Sequence, residues 1–260
     1  PSVHRILSAG APIPPKLHSD FRKILPVGAE IHTPYGATES LPVATISSTE
    51  VLDDTQHRTN AGEGTCVGRL APEITVRIIQ ISDDIIQSWD NVQILKQGEI
   101  GEICVQGPVV TTEYKEEPEH TKMAKIKDPN GEIWHRMGDV GYFDNQGRLW
   151  FCGRKSHRVE LEDNQILYPV PCEGIFNLHP DVARSALVAR DGEPVIVIEK
   201  REAHLNEERL RKELLELSPQ HTKTELIKTV LFHPSFPVDV RHNAKIHRPK
   251  LAAWAKQQTL

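Results

Sequence analysis

The heptapeptide Thr33-Pro34-Tyr35-Gly36-Ala37-Thr38-Glu39 combines an aromatic ring, a glycine, a hydroxyl and a carboxylate. This set suits a site for a nucleoside phosphate, because the ring of Tyr35 can stack on a base and Gly36 lets the backbone come close. The Thr38 hydroxyl can donate to a phosphate oxygen, and Glu39 can bind Mg²⁺, an ion that takes few protein carboxylates and keeps several waters. In isolation, a solvent-facing Pro-Gly turn would explain these residues better. The rest of the chain therefore decides between the two interpretations.

Four segments of the chain, taken in order, resemble the motifs of one enzyme superfamily. The heptapeptide is similar to the YGxTE signature of adenylate-forming enzymes, which include acyl-CoA synthetases, luciferases and peptide-synthetase adenylation domains. An adenine-contacting loop, an RTGD…GR segment and a C-terminal lysine motif are matched by Ser8–Pro12, by Arg136–Asp139 with Gly153-Arg154, and by Asn243–Ile246. Each motif alone is weak evidence. Their common order along nearly the whole chain favours this family, which uses ATP and Mg²⁺.

The resemblance implies how the adenine base is bound. Tyr35 would stack on the ring, Gly36 would allow close approach, and the loop of Gly10, Ala11 and Pro12 would line the other side of the base. The competing interpretations are a tyrosine of the hydrophobic core and a plain turn, since small residues suit both a turn and a close contact.

The resemblance also assigns the ribose and the phosphates. Asp139 would accept hydrogen bonds from two adjacent ribose hydroxyls, as an ionised carboxylate can, and Arg154 would contact the same ribose. Thr38 and Glu39 would act as catalytic residues at the phosphates, with Glu39 as the Mg²⁺ ligand. The alternatives are a turn aspartate for Asp139 and a surface salt bridge for Arg154.

Lys245 matches the lysine whose cation bridges the incoming carboxylate and the phosphate in the family. Without this match, a lysine in a C-terminal loop would be interpreted as solvated. A cation between two anions stabilises mainly the transition state, so Lys245 is predicted to be a catalytic residue.

The composition excludes several classes of protein. A net charge of −5 over 260 residues gives no general attraction to nucleic acid or to anionic membranes. The sequence contains neither a long apolar run nor a basic-then-apolar leader, and its four cysteines form no CxxC pair. Thirteen histidines without HxxxH or HExxH spacing favour scattered imidazoles over a metal centre. We expect a cytoplasmic protein with reduced thiols, no transmembrane segment and no nucleic-acid partner.

The N-terminal part of the chain predicts α/β architecture. Val3–Leu7 has the pattern of a buried strand that leads into a loop. Pro14-Pro15 can open a helix whose buried face would hold Leu17, Phe21 and Ile24-Leu25. Residues 45–65 are polar, acidic and without periodicity, which predicts a surface excursion.

Short strands follow, and then a separate unit. Tyr142-Phe143 and Arg148–Phe151 flank a turn, and strands of this kind predict a small distorted barrel or a curled sheet. Beyond residue 155, a short helix at Cys172–Leu178, a strand pair and a helix capped by Asn206 predict a compact α+β unit.

The predicted fold class is thus α/β plus α+β. Residues 1–155 would be the end of a large adenylation domain, with an α/β segment over 1–65 and a barrel-like, β-rich subdomain over 66–155. Residues 156–260 would form a small mobile lid domain, hinged at Ser156, where the family usually has Asp or Lys.

The family's phosphate loop is missing from this sequence, and Pro1 lies only a few residues before a motif that is normally deep inside the enzyme. We therefore expect a C-terminal fragment of a longer synthetase, which would be inactive alone.

The segment after the hinge bears on the product. Asp163 stands where acyl-CoA synthetases have the glycine of their pantetheine tunnel, one residue is inserted before Glu173, and Ala244 replaces another usual glycine. With YGATESLPV and RHNAKI, these departures resemble the β-lactone synthetases of bacterial olefin biosynthesis. The resemblance implies adenylation of a long-chain β-hydroxy acid, closure of the β-lactone by its own hydroxyl, and further enzymes of the same pathway as possible partners.

Two alternatives stay open. One is an acyl-CoA synthetase or an acyl-AMP ligase that delivers the acyl group to CoA or to a carrier-protein thiol. The other is a non-catalytic domain that uses the fold only to bind a nucleotide.

In the intact enzyme, Lys245→Ala is expected to lower the rate of adenylation by orders of magnitude and to leave the affinity for ATP nearly unchanged, since the cation acts mainly in the transition state. Carboxylate-dependent pyrophosphate exchange measures the rate. A near-normal exchange rate in the variant would contradict the assignment of Lys245.

Overall fold

The computed structural model describes residues 3–239 and 245–258. The chain divides into two compact units. Unit 1 comprises Pro1–Gln56 and Thr65–Lys155, and unit 2 comprises His57–Gly64 and Ser156–Leu260. The short segment His57–Gly64 therefore belongs to unit 2, although the residues on both sides of it belong to unit 1.

Unit 1 is built on one sheet of nine strands. They are β1 (Arg5–Leu7), β2 (Glu30–Ala37), β3 (Ser40–Ser47), β4 (Thr65–Leu70), β5 (Thr75–Ile79), β6 (Gly101–Gln106), β7 (Lys125–Lys127), β8 (Ile133–Phe143) and β9 (Leu149–Arg154). The strand order is β1-β2-β3-β4-β9-β8-β6-β5, with β7 paired to β8. The pair β1–β2 is parallel and the other pairs are antiparallel. Among the described residues this sheet keeps two edges, β1 and β5, so the strands form an open sheet and not a closed barrel.

β1 is more exposed than predicted. In the described part of the chain it lies at the end of the sheet and pairs with β2 alone. Leu7 is 70% exposed, because a strand with one neighbour has few side chains to cover it. The prediction of a strand is confirmed, and the prediction of its burial is wrong.

The helix after β1 is shorter than its apolar pattern predicted. It spans Pro15–Arg22 (α1) with proline at its first turn, and His18 is its buried residue. Leu17 and Ile24 are exposed, so the predicted buried face is wrong. The helix ends before Ile24, and the pattern that included Ile24 therefore does not follow one helical face.

Residues 45–65 are not the surface excursion that was predicted. β3 runs to Ser47, and a helical segment follows as α2 (Ser48–Glu50), a π-helical turn (Val51–Thr55) and α3 (Gln56–Asn60). The acidic composition has a structural use, because Asp54 forms an ion pair with the buried Arg148 from the far part of unit 1.

The hairpin between β8 and β9 is confirmed, and Asp144 organises its turn. Its Oδ1 accepts from the backbone N–H groups of Gln146 and Arg148, both at 2.9 Å. Its Oδ2 accepts from Arg148 Nε and from Trp150 Nε1, again at 2.9 Å. Burial acts to raise the pKa of Asp144, but the hydrogen bonds from Trp150 and Arg148 outweigh it and hold the pKa far below its ordinary value.

Unit 2 has the expected α+β composition. Its elements are β10 (Val159–Glu160), β11 (Ile166–Leu167), α5 (Pro169–Phe176), β12 (Val182–Arg190), β13 (Glu193–Lys200), α6 (Glu207–Leu217), β14 (Thr229–Phe232) and α7 (Arg248–Lys256). β12 and β13 are antiparallel, and β14 joins β13 in parallel. The predicted cap is confirmed, since Asn206 accepts from the Arg209 N–H at 2.9 Å. The helix predicted from Cys172 begins earlier, at Pro169, which suits the first turn of a helix.

Each unit also contains a short 3-10 helix in addition to these elements. Unit 1 further contains α4 (Pro118–Ala124), which contacts the loop next to the candidate site. In the described residues, none of the helices has the length and apolar character that crossing a membrane requires.

Asp144 should make the stability of unit 1 depend on pH. Because its folded-state pKa is depressed, its contribution is complete above the unfolded-state pKa of about 4 and is lost as the pH falls through the folded value. Asp144→Asn should lower the free energy of unfolding at pH 7 by about 3 kcal/mol, since it removes one partner of a buried ion pair. It should also flatten the loss of stability below pH 4.

Urea unfolding between pH 2 and pH 7 measures both effects. Asp90→Asn, at an exposed aspartate of the same unit, is the control and should leave the profile nearly unchanged. Parallel pH profiles for Asp144→Asn and the unmodified protein would contradict the role of Asp144.

Candidate functional site

Asp139 contacts two other predicted site residues, Tyr35 and Arg154. It lies on β8 directly opposite Arg154 on β9, so the sheet register sets the two side chains beside each other. Arg154 Nη1 is 3.1 Å from Asp139 Oδ1, and the Tyr35 hydroxyl donates to Asp139 Oδ2 at 2.8 Å. The interpretation of Asp139 as a turn aspartate is wrong, because the residue is 5% exposed within a strand.

Tyr35 has both a packed face and a polar end. Its ring lies 5.9 Å from that of Phe151 and packs against the core of unit 1. Burial and the neighbouring Asp139 carboxylate raise the pKa of Tyr35 well above its usual value, so the phenol stays protonated and donates. Tyr35 thus packs against the core, as the interpretation as a core tyrosine predicted. Its hydroxyl also donates directly to Asp139, the residue predicted to bind the ribose.

The loop Gly10-Ala11-Pro12 lies at the same end of the sheet as the heptapeptide. β1 and β2 are parallel, with Leu7 opposite His32, and Ser8 N donates to the His32 carbonyl at 3.0 Å. Parallel strands bring their carboxyl ends to one edge of a sheet, where ligands bind in open α/β sheets. Gly10 has a φ of 108°, a conformation that side chains rarely adopt, which explains the glycine.

The heptapeptide itself forms the last part of β2 and the turn into β3. A Cβ atom at Gly36 would lie 2.4 Å from the Ser40 carbonyl oxygen, so the close strand approach requires glycine there. Thr38 and Glu39 form the two-residue turn, with Thr38 exposed to solvent. The predicted loop is therefore a hairpin tip, which holds both side chains on a rigid element.

Glu39 has a partner that sequence reasoning missed. The Tyr114 hydroxyl donates to Glu39 Oε1 at 2.8 Å, and the Thr111 N–H donates to the Glu39 carbonyl at 2.9 Å. Burial acts to raise the pKa of Glu39, but the hydrogen bond from Tyr114 and the nearby Lys125 cation lower it overall. An ionised carboxylate is the hard oxygen ligand that Mg²⁺ prefers, so the chemistry of Glu39 fits such an ion.

Two buried residues, Lys125 and His135, lie near Glu39, and no motif points to them. They lie opposite each other on β7 and β8. Burial lowers the pKa of Lys125 to about 8 and that of His135 to about 4. At neutral pH Lys125 is therefore mostly charged and His135 is neutral. The pairing of β7 with β8, which the sequence does not state, sets the two residues side by side.

A cavity of about 400 Å³ lies within unit 1. Its lining includes Tyr114, the partner of Glu39, and Gly138, the neighbour of Asp139. Arg136 and Lys155 also line it, each paired with the buried Glu102. The cavity is thus lined by the hydrogen-bond partner of Glu39 and by the chain neighbour of Asp139.

Lys245 lies in unit 2 and is exposed. It directly precedes Ile246, which forms an isolated β-bridge with Val238. The Asp239 N–H donates to the Lys245 carbonyl at 2.9 Å. Asn243 and Ala244 of the same motif lie outside the described residues. Three residues beyond the lysine, Arg248 forms a two-point ion pair with Glu173 at 2.6 and 2.9 Å and so fixes the start of α7.

Ser156 was assigned to the hinge and Asp163 to the tunnel position. Both lie near the beginning of the segment Ser156–Leu260 of unit 2. Ser156 is its first residue after β9 and lies in a turn of 3-10 helix, Lys155–His157. Asp163 lies in the turn between β10 and β11, where its carboxylate accepts from the Gln165 N–H at 3.1 Å. The carboxylate of Asp163 therefore stabilises its own turn.

Comparison with known proteins supports the same family. Residues 1–115 match the profile of the AMP-binding enzyme family. An olefin β-lactone synthetase of Xanthomonas campestris pv. campestris is 47% identical, with 99% of this chain and 48% of that protein aligned. An olefin β-lactone synthetase of Stenotrophomonas maltophilia is 45% identical over the same shares of the two chains. The chain thus spans about half the length of these relatives.

The fold agrees with these relationships. An amide bond synthetase from Marinactinospora thermotolerans superposes with a TM-score of 0.75 at 25% identity, covering 97% of this chain and 46% of that one. The predicted combination of an α/β part and an α+β part is confirmed by this match. The chain is a member of the AMP-binding, adenylate-forming superfamily, and olefin β-lactone synthetases are among its relatives.

Proposed function

We propose that the full-length protein containing this chain activates a long-chain β-hydroxy acid with ATP and then closes it to a β-lactone. The observation that carries the proposal is the 47% identity to an olefin β-lactone synthetase over 99% of this chain. The grouping of Tyr35, Asp139 and Arg154 at one end of the sheet supports a nucleotide site in the same chain.

In the first step, a carboxylate oxygen attacks the α-phosphorus of ATP and pyrophosphate leaves. Two anions must meet, so positioning and charge neutralisation carry most of the catalysis. Asp139 and Arg154 would hold the ribose, with Tyr35 against the adenine and the loop of Gly10 to Pro12 on its other side. Opening the Tyr35–Asp139 hydrogen bond is not required, because a carboxylate has about four acceptor positions.

Thr38 and Glu39 would serve the phosphates. Glu39 would be the Mg²⁺ ligand, and the ion, when bound, would neutralise phosphate charge. The Thr38 hydroxyl is exposed at the hairpin tip and would donate to a phosphate oxygen. Lys245 would neutralise the carboxylate and the phosphate together, and Ser156 would be the hinge of unit 2.

In the second step, the β-hydroxyl oxygen attacks the acyl carbon. The new C–O bond closes the four-membered ring, the bond from the acyl carbon to the phosphate oxygen breaks, and AMP leaves with the electron pair as the hydroxyl proton is released. No external thiol takes part. This fits Asp163, whose carboxylate stands where acyl-CoA synthetases have the glycine of the tunnel for a thiol cofactor.

ATP as a substrate and the four buried cysteine thiols both suit the reducing cytoplasm, where we place this enzyme. Enzymes that make the β-hydroxy acid or use the lactone are its expected partners.

The test is to supply the full-length protein with ATP, Mg²⁺ and a long-chain β-hydroxy acid without CoA, and to analyse the products by mass spectrometry. A β-lactone, AMP and pyrophosphate are expected in equal amounts. The matched fatty acid without the β-hydroxyl should support pyrophosphate exchange but give no lactone, because it lacks the internal nucleophile.

Other outcomes would favour the alternatives. AMP release that requires CoA or a carrier-protein thiol would identify an acyl-CoA synthetase or acyl-AMP ligase. Nucleotide binding without acid-dependent pyrophosphate release would identify a binding domain.

A further inference from the structure

The tip of the β2–β3 hairpin is held by the loop that leads into α4. This loop contacts Glu39 twice, through the Thr111 N–H to the Glu39 carbonyl at 2.9 Å and through the Tyr114 hydroxyl to Oε1 at 2.8 Å. One contact fixes the backbone and the other fixes the side chain. Glu39 is therefore held at both ends by one segment.

Tyr114 is itself held in place. Its backbone N–H donates to Thr121 Oγ1 at 2.9 Å, which ties the loop to α4. Lys125 Nζ lies 5.8 Å from the centre of the Tyr114 ring. The same ammonium group donates to the carbonyl and the hydroxyl of Thr111 at 2.5 and 2.9 Å. Tyr114 is thus held by contacts of residues that precede it and of residues that follow it in the chain.

A glutamate side chain that nothing holds in place loses conformational freedom when it binds a ligand. Fixing a long polar side chain costs rotamer entropy. A hydrogen bond that already fixes the carboxylate removes part of this cost before the ligand arrives. Partners that orient a metal ligand in this way typically contribute about 10- to 100-fold to metal affinity.

We propose that Tyr114 is a positioning residue for the metal–phosphate end of the site. Its hydroxyl holds Glu39 Oε1, and the second carboxylate oxygen becomes the one available to the cation that accompanies ATP. Lys125 and Thr111 support this arrangement by fixing the loop. The inference rests on the proposed function, because it assigns Tyr114 to the cation of an ATP-using site.

The experiment uses the full-length protein and the variant Tyr114→Phe, which removes one hydroxyl and keeps the ring. The Mg²⁺ concentration for half-maximal pyrophosphate exchange at saturating ATP is expected to rise about 10-fold, with kcat at saturating Mg²⁺ changed much less. Direct Mn²⁺ binding in the presence of a non-hydrolysable ATP analogue, followed by electron paramagnetic resonance, should weaken by a similar factor.

Tyr142→Phe is the matched control. Tyr142 is a buried tyrosine of the same unit whose ring stacks on Trp150, and its variant should keep the normal Mg²⁺ dependence. A double variant with Glu39→Gln should show no further loss from Tyr114→Phe, because Tyr114 acts through Glu39.

Thr121→Val is the second variant, in case Tyr114→Phe does not fold. It removes the oxygen that accepts the Tyr114 N–H and leaves both Glu39 and the nearby Lys125 cation in place, so it should raise the Mg²⁺ requirement in the same direction. Unchanged Mg²⁺ activation and Mn²⁺ binding in the folded variants would overturn the role of Tyr114. Failure of the proposed function is distinct, since the unmodified protein would then show no acid-dependent pyrophosphate exchange.

Discussion

The Asp139 carboxylate links two parts of unit 1 that lie far apart in the chain. It accepts from Tyr35, 104 residues away, and pairs with Arg154 on the next strand. Burying a carboxylate is costly unless charged or polar partners surround it, so the fold must place such partners beside Asp139. The first hairpin and the β8–β9 pair are thereby held in one arrangement, and the ribose and adenine positions proposed here depend on it.

The sheet explains how such a group can form from separate motifs. β4 and β9 pair in the middle of the strand order, so the hairpin that contains the heptapeptide joins the strands that contain Asp139 and Arg154. Backbone hydrogen bonds set this order, and the side chains of the site follow from it. A site on strands and a tight hairpin is held more precisely than one on long loops.

Much of the site could be predicted from the sequence because its motifs are short and local. The heptapeptide, Asp139 and Arg154 each lie within a few residues of a recognisable pattern, and the structure brings Tyr35, Asp139 and Arg154 together. Tyr114 and Lys125 could not be found this way. Their roles arise from pairing between distant segments, and a tyrosine before a proline-opened helix has many possible uses.

The incorrect predictions about the fold have the same origin. Residues 45–65 were interpreted as a surface excursion because acidic side chains are usually solvated, but Asp54 is the partner of Arg148. The apolar pattern after Pro15 predicted a longer buried face, but the helix ends at Arg22. In both cases the deciding contact or boundary lies outside the local pattern. Strands with turn residues between them, such as β8 and β9, were predicted well because their signals are local.

The surroundings of Glu102 give a physical argument for the proposal that the hinge lies immediately after residue 155. Glu102 is 1% exposed, and its carboxylate pairs with Arg136 at 2.7 Å and with Lys155 at 3.2 Å. Lys155 also donates to the Ser82 carbonyl at 2.6 Å. Releasing Lys155 would leave the buried Glu102 carboxylate with Arg136 as its remaining cation, which is unfavourable. The chain is thus fixed to unit 1 as far as Lys155, so a rotation of unit 2 would be absorbed by the backbone that begins at Ser156.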